Sequence, residues 1–190
     1  MLKTFSGRRP SQDEQELRGL VQLFKDEGVR SYLEVGAREG DTFHEIVCSL
    51  PHGSRAVAVD LPGGYWGKST TGGKLQEAAD DLFMRGYDVV VILGDSTKDD
   101  VIERVRAVGP FDAALIDGDH RYEGVKADWL HYGPMARLVA FHDIAGDGQS
   151  EKVHGSRVEV PRLWAELKVG HQTAEFVSPG SAMGIGCVLR

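Results

Sequence analysis

Short apolar runs alternate with amphipathic segments along most of the chain. Residues 12–27 (QDEQELRGLVQLFKDE) carry Leu17, Leu20, Val21 and Phe24 at helical spacing. SYLEVG (31–36) reads as a buried strand, and a helix follows from about Asp41 to Leu50. AVAVD (56–60) is a second strand, after which the glycine-rich LPGGYWGKSTTGG (61–73) leads into a helix over about 74–85. YDVVVILGD (87–95) is a third strand, and STKDDVIERVRAV (96–108) its helix, with Ser96 or Thr97 as the cap. FDAALID (111–117) and ARLVAFHD (136–143) are further strands, separated by a helical segment that runs from after Asp119 to about Tyr132. A helix near 159–168 precedes TAEFVS (173–178) and GIGCVLR (184–190), two strands joined by a short Pro-Gly turn.

Strands that alternate with helices pair in parallel through right-handed crossovers, with helices on both faces. The close connection of the last two strands requires an antiparallel pair. The expected fold is therefore an α/β, Rossmann-like three-layer sandwich whose seven-stranded, mostly parallel sheet ends in an antiparallel C-terminal hairpin. Neither a repeat nor an interdomain linker interrupts it. Residues 1–190 read as one domain, with 1–30 as an N-terminal helical extension able to pack against a second copy in a homo-oligomer. The polar stretch 145–157 (AGDGQSEKVHGSR) reads as a long mobile loop or lid.

Charge and composition narrow the function. The chain carries 22 basic and 29 acidic residues, a net charge of −7, which argues against a nucleic-acid partner held by phosphate neutralisation. Its 24 glycines are nearly twice the usual share of about 7%. That excess suggests many turns, or backbone that a ligand approaches closely. Cys48 and Cys187 form no disulfide or zinc framework and read as buried free thiols. MLKTFSGRRP has no apolar stretch behind its charges, and no apolar run approaches the roughly 20 residues of a membrane span. A soluble, cytoplasmic protein without a membrane partner is expected.

In an open parallel sheet, ligands bind beyond the carboxyl ends of the strands. The first strand ends in Glu34, Gly36, Ala37 and Gly40, a glycine turn that either admits a ligand or is only a turn. The second ends in Asp60, either a solvated acid or an acceptor for two ribose hydroxyls about 20 residues after a glycine turn. Asp95 and Ser96 end the third, where they could border an adenine unless Ser96 only caps a helix. Asp117, Asp119 and His120 stand at the fourth strand end, and His142 with Asp143 at the fifth. Adjacent strands lie about 4.8 Å apart, so such acids can share one small ion, magnesium or manganese. The alternative is a salt-bridged cluster neutralised by Arg121 and Lys126.

LEVGAREG, AVAVD, LGDS, ALIDGDHRYEGVKADW and FHDI, in this order and spacing, resemble class I S-adenosylmethionine-dependent methyltransferases. The nearest subgroup has a fourth motif of the form IDGDHxYEGVxxD. It contains metal-dependent O-methyltransferases of sugars and natural products and cephalosporin-hydroxylase-like proteins. The resemblance covers about residues 28–190, and WAEL and MGIGCV near the C-terminus also fit it. It implies Glu34, Gly36, Ala37 and Gly40 around the cofactor's amino-acid moiety, Asp60 on the ribose, and Asp95 with Ser96 at the adenine. Asp117 would serve both cofactor and chemistry, Asp117, His142 and Asp143 would hold Mg2+ or Mn2+, and His120 would be the base. The acceptor would be a small molecule bearing a hydroxyl. Arg38 stands where the second glycine of the first motif is usual, and His142 where relatives carry an acid.

Three rival readings are weaker. A NAD-dependent oxidoreductase calls for GxGxxG, and no middle glycine lies between Gly36 and Gly40. GGYWGKST (63–70) resembles a P-loop, but the required first glycine is Pro62. The segment reads instead as a loop carrying Tyr65 and Trp66 toward a substrate. A non-catalytic protein that keeps the cofactor pocket would have no need for the acids and histidines at the fourth and fifth strand ends.

Overall fold

The computed structural model describes residues 10, 12–64, 69–146, 152–153 and 156–190. Tyr65, Trp66 and Lys68, and most of the expected lid, lie outside them. The strands are β1 (Ser31–Val35), β2 (Arg55–Asp60), β3 (Asp88–Leu93), β4 (Phe111–Ile116), β5 (Ala136–His142), β6 (Lys152–Val153), β7 (Ser156–Arg157), β8 (Gln172–Phe176) and β9 (Ile185–Leu189). The α-helices are α1 (Glu14–Asp26), α2 (Asp41–Ser49), α3 (Thr71–Met84), α4 (Asp99–Val108), α5 (Tyr122–Tyr132) and α6 (Val160–Gly170).

The seven-stranded sheet has the order β3-β2-β1-β4-β5-β9-β8. Its first five members are parallel and β9 is antiparallel to both β5 and β8, as expected. The small antiparallel pair β6–β7 falls inside the stretch read as loop, which corrects that reading for its described part. The strand order reverses at β1, which pairs with β2 on one side and β4 on the other, so a crevice opens there.

Each face of the sheet buries its own core, because alternate side chains point to opposite faces. Leu33, Val35, Val57, Val59, Ala114, Ile116 and Val139 pack against α4, α5 and α6. Tyr32, Ala56, Ala58, Ala113 and Ala140 face α1, α2 and α3. Small residues dominate that second face. It accommodates the rings of Phe24, Tyr32 and Phe43, whose neighbouring centroids lie 6.0 Å apart. Among the described residues, no helix is long and apolar enough to cross a membrane.

Element boundaries depart from expectation where side chains compete for backbone groups. The helix after β3 begins at Asp99, not Ser96, and neither Ser96 nor Thr97 caps it. Asp95 instead accepts from the Thr97 amide and hydroxyl at 2.9 and 2.7 Å, closing a turn that delays the helix. Helix α3 starts at Thr71, three residues earlier than its spacing suggests. Cys187 is buried as expected, whereas Cys48 is exposed, because α2 turns Phe43, Ile46 and Val47 inward and Cys48 outward.

Gly186 of β9 lies beneath the Trp164 indole, where an added Cβ would come within 2.4 Å of the ring. Gly186→Ala should destabilise the protein by about 1–3 kcal/mol in urea unfolding. Gly170→Ala, at the end of α6 where nothing lies within 4 Å, should be neutral or slightly stabilising.

Candidate active site

The floor of the crevice forms where the ends of β1 and β4 touch. The Asp117 amide donates to the Val35 carbonyl at 2.8 Å, and Gly36 turns away with φ +92°. A Cβ on Gly36 would lie 2.3 Å from the Asp117 carbonyl oxygen, so only glycine fits. Arg38 adopts a left-handed φ of +48°, a conformation the usual glycine would take without strain. Its amide donates to Asp60 Oδ1 at 2.8 Å, and the Thr71 hydroxyl donates to Oδ2 at 3.1 Å. Burial raises the Asp60 pKa against both of these bonds.

Above this floor lies a cavity of about 270 Å³, lined among others by Gly36, Asp60, Asp95, Ser96, Asp117 and His120. Glu34, Ala37 and Gly40 are not in its wall. Glu34 is buried beneath it, 2.5 Å from the Tyr32 hydroxyl that donates to it. Burial pushes the Glu34 carboxyl up to about 8, with the charges of Asp117 and Asp60 adding to the shift, so it is largely protonated at neutral pH. Gly40 instead precedes α2 with φ +84°, and Ala37 packs in the core.

At one end of the cavity, two acids and two histidines from β4 and β5 converge. His142 Nδ1 lies 3.2 Å from Asp117 Oδ1 and 3.4 Å from Asp143 Oδ1. Burial alone would lower the His142 pKa, but Asp117, with Asp143 and Glu16, holds it up at about 9. The carboxylates thus favour the protonated ring, whose Nδ1 faces Asp117. Burial likewise works against ionisation of Asp117, yet His142, His120 and a bond from Gln12 keep its pKa below the ordinary carboxylate value. His120 Nδ1 is 2.7 Å from Asp143 Oδ2, and that pairing, with the Asp117 charge, raises the His120 pKa despite burial. Asp143 itself has a left-handed φ of +61°, a strained backbone of the kind found at functional sites.

The charge balance differs from the salt-bridged alternative. Arg121 pairs with Asp119 and Lys126 donates to the Tyr122 hydroxyl at 2.9 Å, so the histidines are what compensate Asp117 and Asp143. Ligand atoms of Asp117, His120 and Asp143 all lie within 4.8 Å of one another. The third member of this group is His120, whereas the expected set had His142, whose Nδ1 is engaged with the carboxylates and whose Nε2 is buried without a partner.

Sequence reasoning missed Gln12, Thr42 and Asp128. Gln12 donates to Asp117 Oδ2 at 2.7 Å, and the Thr42 hydroxyl bonds to Gln12 Oε1. Asp128 reaches the cavity wall from α5 with 1% exposure, its carboxylate beside the Ser96 side chain. A legible signal existed for Asp128, an acid on the buried stripe Val125, Asp128, Tyr132 of α5.

With this geometry in place, the relationship to known proteins can be read. Residues 33–144 match the family model of a methyltransferase domain, and the chain belongs to that family. Its fold is that of an O-methyltransferase from Bacillus cereus solved with S-adenosylhomocysteine, at 18% identity and a TM-score of 0.70 over 95% of this chain and 84% of that one. The O-methyltransferase TomG from Streptomyces achromogenes, involved in tomaymycin synthesis and solved with S-adenosylmethionine, has a TM-score of 0.70 at 15% identity, covering 94% of this chain and 81% of that one. No curated protein matches the chain at a significant level.

Burial pushes the Asp128 carboxyl up to about 7, with the Ser96 side chain drawing it down and Asp119 and Asp95 adding to the rise. The folded state thus holds a proton that the unfolded state, with an ordinary value near 3.9, has released. Between pH 4 and 7 the folded state binds more protons, so this group's contribution to stability falls as pH rises and then levels off. Asp128→Asn should remove that contribution. Its unfolding free energy relative to the parent should rise from pH 5 to pH 8 by up to about 2.5 kcal/mol, measured by urea titration at each pH.

Proposed function

We propose that this protein is an S-adenosylmethionine-dependent O-methyltransferase acting on a hydroxyl of a small molecule, a sugar or natural product. The observation that carries this reading is a cavity bounded by Gly36, Asp60, Asp95 and Ser96 that ends at His120 and Asp117. Membership of a methyltransferase family and likeness to two folds solved with the cofactor or its product support it. Asp60 suits the ribose hydroxyls, and the Asp95–Ser96 edge suits the adenine. Glu34, beneath the cavity, would act on the cofactor's amino-acid moiety through the glycine turn from Gly36 to Gly40 and not by contact.

When bound, S-adenosylmethionine supplies an electrophilic methyl group, and its transfer to a hydroxyl releases one proton. The residues must accept that proton, since an alcohol remains protonated at neutral pH. His120 has the setting of a base: Asp143 at 2.7 Å holds a proton on Nδ1, which leaves Nε2 as the accepting nitrogen. His142 lowers the Asp117 pKa, and the Asp117 charge in turn helps to raise that of His120.

The same side chains fit a divalent ion. Two carboxylates and an imidazole within mutual reach suit manganese somewhat better than magnesium. Asp117, His120 and Asp143 would hold it, with His142 bonded behind Asp117. A bound ion would lower the pKa of an acceptor hydroxyl. His120 would then be a ligand in place of a base, and metal titration separates these roles.

Asp60→Ala should bind S-adenosylhomocysteine about ten- to a hundredfold more weakly by calorimetry, a loss of roughly 1.5–3 kcal/mol. Unchanged affinity would overturn the ribose assignment. Once an acceptor is found by screening, His120→Ala should lower turnover by about a hundredfold or more. With His120 as base, Mn2+ affinity should survive that change, and the parent rate should rise with pH through a pKa above the ordinary value of 6.5. Chelator should abolish activity, and Mn2+ or Mg2+ should restore it except in Asp143→Ala. Full turnover in excess chelator would remove the metal from the reading.

A further inference from the structure

Asp117 has two carboxylate oxygens, and the site residues so far account for one. Oδ1 faces His142, while Oδ2 accepts from Gln12, which lies 105 positions earlier in the chain. A glutamine amide can present either end, and its neighbours determine which. The carboxylate can only accept, so it requires Nε2. The Thr42 hydroxyl can donate, and it bonds to Oε1. The carboxylate therefore selects the orientation of the amide, and the Thr42 hydroxyl, able to donate or accept, adapts to it.

The position of Gln12 is equally constrained. It is 8% exposed and immediately precedes Asp13, which caps α1 by accepting from the Gln15 and Glu16 amides at 2.9 and 3.2 Å. Asp13 also accepts from the Ser178 hydroxyl at 2.6 Å. One turn on, Glu16 is buried and accepts from the Ser178 and Gly184 amides at 2.9 and 3.0 Å. The start of α1 is thus tied to the segment between β8 and β9, and Gln12 is delivered to Asp117 from a fixed base.

We propose that Gln12 is a positioning residue of the reaction centre, whose amide, anchored by Thr42, holds the Asp117 carboxylate turned toward His142. An aspartate's terminal torsion is broad and loosely held on its own. Contacts on both oxygens, from Gln12 and His142, fix the plane of the group. The proposal rests on Asp117 as a site residue, and its test separates it from the metal reading.

The side-chain amide of Gln12, followed by 15N–1H NMR in the full chain, reports the contact directly. Its protons should be shifted from free-glutamine values, and Asp117→Asn and Thr42→Val should each move them. Free-glutamine shifts that neither variant changes would overturn the proposal. Gln12→Met keeps the volume and removes the donor. Its Mn2+ affinity by calorimetry should fall about ten- to a hundredfold, the effect usual for partners of metal ligands. Gln22→Ala, an exposed change on α1, should leave affinity unchanged. Wild-type Mn2+ affinity in a folded Gln12→Met protein would overturn the role. If the parent chain itself binds neither Mn2+ nor Mg2+, the metal reading fails, and the amide resonances alone decide the role of Gln12.

Discussion

A half-buried carboxylate at the point where the strand order reverses sets the terms for the rest of the site. Asp117 follows β4, and its amide bonds to the end of β1 where Gly36 leaves room for nothing larger than hydrogen. A charge in that position is costly unless it is paired and hydrogen-bonded. His142 and Gln12 meet its two oxygens, and His120 adds a second nearby imidazole. The compensation has consequences of its own. The carboxylates raise the His142 pKa, and Asp143 is shared between two histidines in a left-handed backbone conformation.

The acids around the cavity divide into two groups by environment. Asp95, bonded to Thr97, and Asp117, bonded to His142 and Gln12, are held below ordinary carboxylate values. Glu34 and Asp128 are pushed up by burial and by the charges of the first group, to about 8 and about 7. A chain with net charge −7 can therefore crowd acids at its strand ends without leaving every one of them ionised. Groups whose environments push their pKa values apart are a recurrent feature of acid–base sites.

Much of the fold was legible, because parallel strands buried on both faces stand out as unbroken apolar runs. The strand ends could be read for the same reason, and Gly36, Asp60, Asp95, Ser96, Asp117 and His120 do share one cavity. The misreadings have local causes. Asp95 competes for the Thr97 amide and postpones α4, and one step of helical phase turns Cys48 to the surface. Glu34 stands at the expected strand end but outside the cavity lining. Alternation puts it on the face of Tyr32, beneath the crevice.

The amino-acid sequence by itself determined the layered α/β architecture, the residues that terminate each parallel strand, and the family to which they point. Periodicity reports how each element divides into a buried and an exposed face, and strand ends follow from where that pattern stops. Only the tertiary structure decided which partners those residues take. His120 joins Asp117 and Asp143 in one group while His142 bonds to the carboxylates, because β4 and β5 bring their ends into a particular register. Gln12 reaches Asp117, and Thr42 reaches Gln12, because α1 and α2 pack on the same face of the sheet. No spacing within a single element encodes a contact between chain segments 105 residues apart, since its geometry exists only after the layers have closed.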